Sequence, residues 1–290
     1  MAINKIICSL VLLSLTLGQS FAQQEETSYI DLRVIPVGSI PLAKFGSQPP
    51  PEKPDEDLKQ PPNKDPSKKT LPQKKSGVTV INLPEDERPI GNLYIKRQGA
   101  YYAINCQQNR IGAPYRIFYD EPTIIFYKKR RSADGSESFK EVFTYVVKPS
   151  QKNILVTLSK PLDEKKWTDP IVKTYNLTHL KNNHIPLTIV NTSSRYNLGL
   201  KLNNKSSVIK PYGVSSPRSG SSKHFTMQIA ASPDLKRWSK LQRLTLQNSE
   251  SMSNLVITYE VWRKESPRGF KIIRGKIKHG KFRKPRKVSN

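Results

Sequence analysis

The hydrophobic pattern from residue 78 onward predicts β-structure. Short runs rich in Val, Ile, Thr, Tyr and Phe, many of them alternating apolar and polar positions, are separated by clusters of Gly, Pro, Asn, Asp and Ser. Such runs are typical of strands in pleated sheets. The runs are VTVINL, NLYIKR, YRIFY, TIIFYKK, EVFTYVV, NILVTL, LTIVN, NLGLKL, HFTMQIA, LQRLTLQ, LVITYEVW and FKIIRGKI. About a dozen strands and almost no helix predict an all-β protein built as an antiparallel β-sandwich.

Two shorter features complete this pattern. The segment SADGSE at 132–137 predicts a hairpin tip, because Asp134 and Gly135 are a turn dipeptide between two apolar runs. The best candidate for a helix is one or two turns that begin at Pro233 with Ser232 as the cap.

Internal similarity predicts that the sandwich is duplicated. VTVIN at 78–82, followed by NLYI, resembles LTIVN at 187–191, followed by NLGLKL, at an offset of 109 residues. A second match relates 141–158 to 255–273 at an offset of 114. Two matches in the same order favour duplicated units. We predict two tandem Ig-like units, 78–160 and 171–275, joined by PLDEKKWTDP at 161–170; one larger sandwich is the alternative.

The N-terminal region predicts export. Residues 1–22 combine one Lys, an apolar run of about a dozen residues and the small-x-small ending Ser20-Phe21-Ala22, which is the pattern of a secretory signal peptide. The run is too short for a spanning helix, and no second apolar stretch follows. We therefore expect a secreted, periplasmic or cell-envelope protein with no membrane span after cleavage.

Two segments precede the main β-region. In 23–46, the alternation of Ile30, Leu32 and Val34 before two prolines predicts one short edge strand. Residues 47–77 hold eight prolines in 31 residues and only two large aliphatic residues, so they predict a disordered linker. It is either a long loop inserted after the first strand or a free arm.

Positive charge is concentrated in the second half. After signal cleavage, residues 161–290 hold 26 bases and 7 acids, whereas 76–160 hold 13 and 8. The positive electrostatic field that this excess creates attracts polyanions. In an exported protein the candidates are an anionic envelope polymer, lipopolysaccharide or extracellular DNA, beside an unknown protein partner. We predict that the basic tail at 276–290 is disordered, and the alternative to a polyanion contact is that it is only a solvated end of the chain. The predicted polyanion-binding residues are Lys271, Arg274, Lys276, Lys278, Lys281, Arg283, Lys284, Arg286 and Lys287.

The sequence offers little catalytic chemistry. No G-x-S-x-G turn is present, and Ser207 with Lys210 matches S-x-x-K spacing only in strand-like sequence. The four histidines lack the spacing of a metal pair, so we predict no metal, cofactor or catalytic residue. Cys106 is the one cysteine left after cleavage and is expected to be a buried apolar residue.

Aromatic side chains crowd the first unit, including Tyr94, Tyr101, Tyr102 and Tyr127. Their strand positions favour core or cross-strand packing, with a binding platform as the alternative. Tyr101 and Tyr102 are consecutive, so one of them faces outward if that segment is a strand.

Four motifs carry a resemblance. RVIPVG at 33–38, VNTSSRYNLGLKL at 190–202, IKPYG at 209–213 and VITYEVWR at 256–263 resemble segments of a group of uncharacterised exported bacterial β-sandwich proteins. The resemblance implies a sandwich fold and no activity. An exported sandwich whose sequence lacks a nucleophile turn, a metal motif and a cofactor loop favours a non-enzymatic protein with a binding or structural role. The alternative is a polysaccharide hydrolase with two carboxylates from separate strands.

Overall fold

The computed structural model describes residues 28–39, 84–132, 134–164, 166–177, 187–217, 222–239, 242–249, 251–261, 269–278 and 280–288. Within them lie seventeen strands and one short 3₁₀ turn at Glu85–Glu87, so the predicted all-β class is confirmed. The strands are β1 (Tyr29–Val37), β2 (Asn92–Arg97), β3 (Ala100–Asn105), β4 (Tyr115–Phe118), β5 (Thr123–Arg131), β6 (Glu137–Val146), β7 (Asn153–Ser159), β8 (Ile171–Asn176), β9 (Leu187–Asn191), β10 (Asn197–Leu202), β11 (Lys205–Ile209), β12 (Val214–Ser215), β13 (His224–Ser232), β14 (Gln242–Gln247), β15 (Met252–Glu260), β16 (Phe270–Lys278) and β17 (Arg286–Lys287). The predicted signal peptide, the proline-rich segment 47–77 and the predicted strand at 78–83 lie outside the described residues.

The strands form four sheets, two in each half of the molecule. In the first half, an inner sheet has the order β4-β1-β7-β8 and an outer sheet the order β17-β3-β2-β5-β6. In the second half, the inner sheet is β12-β9-β15-β16 and the outer sheet is β11-β10-β13-β14. Most pairs are antiparallel, but β1 pairs with β7, and β9 with β15, in parallel.

Three apolar clusters show how the sheets are layered. One cluster joins the outer and inner sheets of the first half, and a second joins the corresponding sheets of the second half. The third joins the two inner sheets, through Ile35 and Leu155 on one side and Leu255 and Ile257 on the other. The layers therefore run from outer sheet to inner sheet to inner sheet to outer sheet. Because both inner sheets are covered on two faces, their central strands are almost continuously buried.

The N-terminal strand is central, and its prediction as an edge strand is wrong. β1 lies between β4 and β7. Pro36 had favoured an edge because proline cannot donate to a ladder. In the structure, the Pro36 carbonyl accepts a hydrogen bond from the Asn109 backbone amide. Pro36 has no N–H group, and the side of β1 on which that group is missing faces the loop that contains Asn109. β4 does not extend this far, because it pairs only with Tyr29 to Leu32.

The two halves repeat one strand order, although the sequence matches located the repeat only in part. The strands β1 to β8 occupy the places that β9 to β16 occupy in the second half. The match between the segments of β2 and β10 agrees with this correspondence. The match of 141–158 with 255–273 does not, because it pairs β6 and β7 with β15 and β16. Whether either half belongs to the Ig-like class stays a prediction.

Several predicted boundaries also change. β8 had been placed in the second unit, yet it pairs with β7 in the inner sheet of the first half. The turns predicted from Pro233 are absent from the described residues 233–237, where the Asp234 carboxylate instead accepts hydrogen bonds from the amides of Lys236 and Arg237. The predicted hairpin tip is confirmed: β5 and β6 pair up to Arg131 and Glu137.

Candidate functional site

The nine predicted polyanion-binding residues separate into two groups. Lys271, Arg274, Lys276 and Lys278 lie on β16, at the edge of the inner sheet of the second half. The other five follow β16 and lie against the first half of the molecule: Lys281, Arg283, Lys284, Arg286 and Lys287. The prediction of one continuous basic tail is therefore replaced by two separate surfaces, and Lys271 lies on the opposite face of β16 from Arg274, Lys276 and Lys278.

The alternation of side chains along β16 creates the first surface. Phe270 and Ile272 pack into the core of the second half, and the same face then continues with Arg274, Lys276 and Lys278, which are exposed. The opposite face carries Ile273 and Ile277 toward the first half. This face of β16 therefore changes from apolar to basic side chains where the outer sheet no longer covers it.

A groove of about 530 Å³ opens beside these basic residues, between β16 and the end of the outer sheet. The Lys276 ammonium donates a hydrogen bond to Gln247 Oε1 at 2.8 Å, and Asn254 Nδ2 donates to the Gln247 carbonyl at 3.0 Å. The lining is His224, Thr245, Leu246, Gln247, Asn254, Leu255, Arg274, Gly275 and Lys276. It combines cationic and amide donors and includes no carboxylate, which is the chemistry that an anionic ligand requires.

The second surface is an ordered strap, so the prediction that the whole 276–290 tail is disordered is wrong. The Arg283 amide donates to the Pro114 carbonyl at 2.7 Å, and the Arg116 amide donates to the Arg283 carbonyl at 2.9 Å. Farther along, β17 pairs with β3, and the Val288 amide donates to the Tyr101 carbonyl. These backbone bonds hold residues 281–288 across the edges of both sheets of the first half.

An arginine anchors the strap through its side chain. The Arg116 guanidinium donates two hydrogen bonds of 2.9 Å to the Asp31 carboxylate, which raises the pKa of Arg116. The same guanidinium lies 3.9 Å from the Phe282 ring centroid and 4.1 Å from that of Tyr29. Cation–π contacts at this range are favourable, and they explain why a hydrophilic tail has one exposed aromatic residue within it.

The aromatic residues of the first unit pack as predicted. Tyr102 packs against the core, whereas Tyr101 faces the outer surface of the sheet. There its ring is stacked on Phe139 at 3.6 Å and meets Tyr127 edge-on at 5.5 Å. These rings cover one another across strands, which is ordinary sheet stabilisation.

The motifs behind the family resemblance form a structural network. Asn191 is fully buried, and its Nδ2 donates to the carbonyls of Tyr196 and Lys210 at 2.7 and 3.0 Å. At the end of β15, the Glu260 carboxylate accepts hydrogen bonds from the Ser193 hydroxyl and the Arg195 amide. The motifs at 190–202 and 209–213 and the described part of the third motif, 256–261, therefore meet at one loop and fix its shape.

Other reactive side chains offer no site in the described part of the chain. Cys106 is buried as predicted, and burial raises the pKa of its thiol to about 12. The described residues contain no group of three metal-ligating side chains. His179, His184 and His279 lie outside the described residues. The groove beside β16, the pocket beside Arg33 and a cavity beside Tyr29 and Tyr119 are lined by described residues that include no Asp or Glu, so these three lack the two-carboxylate geometry of the hydrolase alternative.

Comparison with known proteins gives no family for this chain. No protein-family model matches the sequence, and a search of curated proteins found no significant match. Among the described residues, no helix has the length and apolar character needed to cross a membrane.

Sequence reasoning found the basic half of the groove and missed the rest. Gln247, Asn254 and His224 come from three other strands, and no local pattern marks them as neighbours of Arg274. Alternation along β16 was the available signal, because three bases on one face of a strand follow two apolar residues on that face.

Proposed function

We propose that this protein is an exported, non-enzymatic binding protein that contacts an anionic polymer through the basic groove of its second half. The observation that carries the proposal is the lining of that groove, which places Arg274 and Lys276 beside amide donors without a carboxylate. Charged donors of this kind bind phosphate, sulfate and carboxylate groups. The resemblance to exported sandwich proteins and the signal-like N-terminus support the same proposal.

Charge removal at the groove tests this proposal. In the double variant Arg274→Ala/Lys276→Ala, we expect weaker retention on heparin and weaker binding to lipopolysaccharide and to DNA. Each ionic contact contributes to the salt dependence of binding, so the slope of log K against log salt should fall by about 1 to 2. The matched control is Lys140→Ala/Lys148→Ala, which removes two exposed bases from the first half.

The comparison between the two double variants decides the outcome. Equal elution of the groove variant and the native protein, or equal losses in both variants, would show that binding reflects net charge and not this groove. Circular dichroism of both variants checks that the sheets are retained.

Export has a separate test. Expression of the full chain with its native N-terminus should yield a mature protein that begins at Gln23, as measured by N-terminal sequencing after cell fractionation. A full-length product that stays inside the cell would overturn this part of the proposal and leave the groove experiment unaffected.

A further inference from the structure

Arg33 is a buried cation on the face of β1 that also carries Ile35 and Val37. It lies on β1, where only 5% of its surface is exposed, and its Nε has no hydrogen-bond partner in the described structure. Burial lowers the pKa of Arg33 to about 10, which still leaves the guanidinium charged at neutral pH. A buried charge is costly unless it is paired and hydrogen-bonded.

The nearest carboxylate is already engaged elsewhere. Asp31 lies two residues earlier on the same face of β1 and favours the charged form of Arg33 through space. Both of its carboxylate oxygens, however, accept hydrogen bonds from Arg116. One carboxylate thus serves two guanidinium groups, and local positive charge exceeds negative charge.

A comparison with Arg97 shows that this situation is particular to Arg33. Arg97 is the other described residue with a buried, unpartnered Nε. Its guanidinium has an ion-pair partner in Asp120 at 3.8 Å and lies 5.9 Å from the Phe118 ring centroid. Its charge is therefore balanced by a partner of its own.

The space beside Arg33 is a small pocket formed by three separate parts of the chain. Arg33 comes from β1, Arg110 from the loop between β3 and β4, and Arg283 from the strap. The pocket has a volume of about 20 Å³, slightly more than one water molecule needs. Its other lining residues are Val34, Ile35, Asn105, Gln107, Gly112, Ala113 and Tyr115, so it contains no carboxylate.

We propose that the pocket of Arg33, Arg110 and Arg283 binds a single oxyanion group, as carried by a phosphate or a carboxylate. Guanidinium groups match the geometry of such anions, because their N–H donors form a planar fork. Because the enclosed volume holds little more than one water molecule, one oxygen of the anion would enter it beside Arg33, and the rest of the group would stay at the mouth, where Arg110 and Arg283 are exposed. This site is distinct from the basic groove on β16, and it does not depend on polymer binding there.

The site also links ligand binding to the strap. Arg283 is the strap residue whose amide and carbonyl are both bonded to the first half. An anion that bridges Arg283 to Arg33 and Arg110 adds a contact between the strap and β1. We therefore expect binding to protect the strap from tryptic cleavage after Lys281 and Arg283.

Calorimetric titration of the mature chain with inorganic phosphate, and in a separate series with acetate, tests the site. The buffer should contain no other oxyanion. We expect saturable binding of at least one of the two anions, with affinity at least tenfold weaker in Arg33→Met. Phosphate binding alone would indicate a phosphoryl ligand, and binding of both anions would indicate a less selective oxyanion site.

A second variant and a control keep the result interpretable. Arg110 is exposed, so Arg110→Gln should fold normally and still weaken binding. Arg237→Gln, at an exposed turn in the second half, should bind like the native protein. Absence of saturable binding in the native protein, or native affinity in both Arg33→Met and Arg110→Gln, would overturn the proposal. Limited trypsin digestion with and without phosphate gives the independent reading on the strap.

Discussion

The two halves of the molecule share one strand order and differ at the edge of their outer sheets. In the first half, β17 from the C-terminal segment pairs with the outer side of β3, so β3 is not exposed as an edge strand. In the second half, the corresponding strand β11 ends its sheet within the described chain, and its residues Lys205 to Val208 are exposed. Open edges invite further pairing, and a charged residue such as Lys205 reduces that tendency.

This difference shows that the C-terminal segment of the chain belongs, in space, to the first half. The charge distribution changes as a result. By sequence, the positive excess lies in residues 161–290, but five of those bases, between Lys281 and Lys287, lie on the first half. Of the 21 other bases in that range, four lie on β16, and two of those four line the groove.

The largest expected effect comes from the layer that joins the halves. Leu155 is fully buried in the cluster between the two inner sheets. Leu155→Ala should lower the free energy of unfolding by about 2 to 5 kcal/mol, because it leaves a cavity in that layer. Urea denaturation gives this value.

Hydrogen exchange would show whether the halves unfold together. Leu155→Ala should reduce amide protection in both β7 and β15, because their side chains share one cluster. Leu200→Ala is the control, because Leu200 lies in the core of the second half alone. Loss of protection confined to the first half in Leu155→Ala would mean that the halves are independent.

A smaller effect is expected at Gly275, where the halves come into close contact. A Cβ atom added at Gly275 would lie 2.7 Å from the Ile111 Cβ, so Ala at this position forces the two halves apart. We expect Gly275→Ala to cost about 1 to 3 kcal/mol of stability. At Gly91, by contrast, an added Cβ meets nothing within 4 Å, so Gly91→Ala should change stability by less than about 0.5 kcal/mol.

Thermal denaturation of both glycine variants provides the measurement. If the two variants have equal midpoints, Ile111 and β16 do not form the tight contact described here. Gly275 also lines the basic groove, so heparin binding by Gly275→Ala would show how far the groove depends on this contact.

The sequence predicted where most of the strands lie, but it did not predict which strands pair with one another. Alternation and turn residues predicted β2, β5, β10 and β16, because side-chain period is a local property. The position of β1 could not be predicted, since pairing with β7 depends on residues more than a hundred positions away. β3, β8 and β12 are absent from the predicted runs because they are short or alternate weakly, and the sequence at β11 was recognised only as strand-like.

The same limit applies to the candidate sites. Bases on β16 were predictable from composition and alternation, but the pocket of Arg33, Arg110 and Arg283 depends on three distant segments. The strap was predicted to be disordered because it has many bases and few apolar residues. Its order comes from Phe282 on Arg116 and from backbone pairing with the first half, neither of which has a local sequence signal.

The smallest expected effect concerns the strap, which is the feature that distinguishes the halves. Phe282→Ala removes the ring that contacts Arg116 and leaves the backbone bonds of Arg283 and Val288 in place. A partly exposed cation–π contact is worth about 0.5 to 1 kcal/mol, so global stability should hardly change. The strap should instead open more often, with faster exchange of the Arg283 and Val288 amides and faster tryptic cleavage after Lys281. Phe282→Tyr retains the ring and serves as the control. If both variants exchange at the native rate, Phe282 does not hold the strap, and backbone pairing alone accounts for its order.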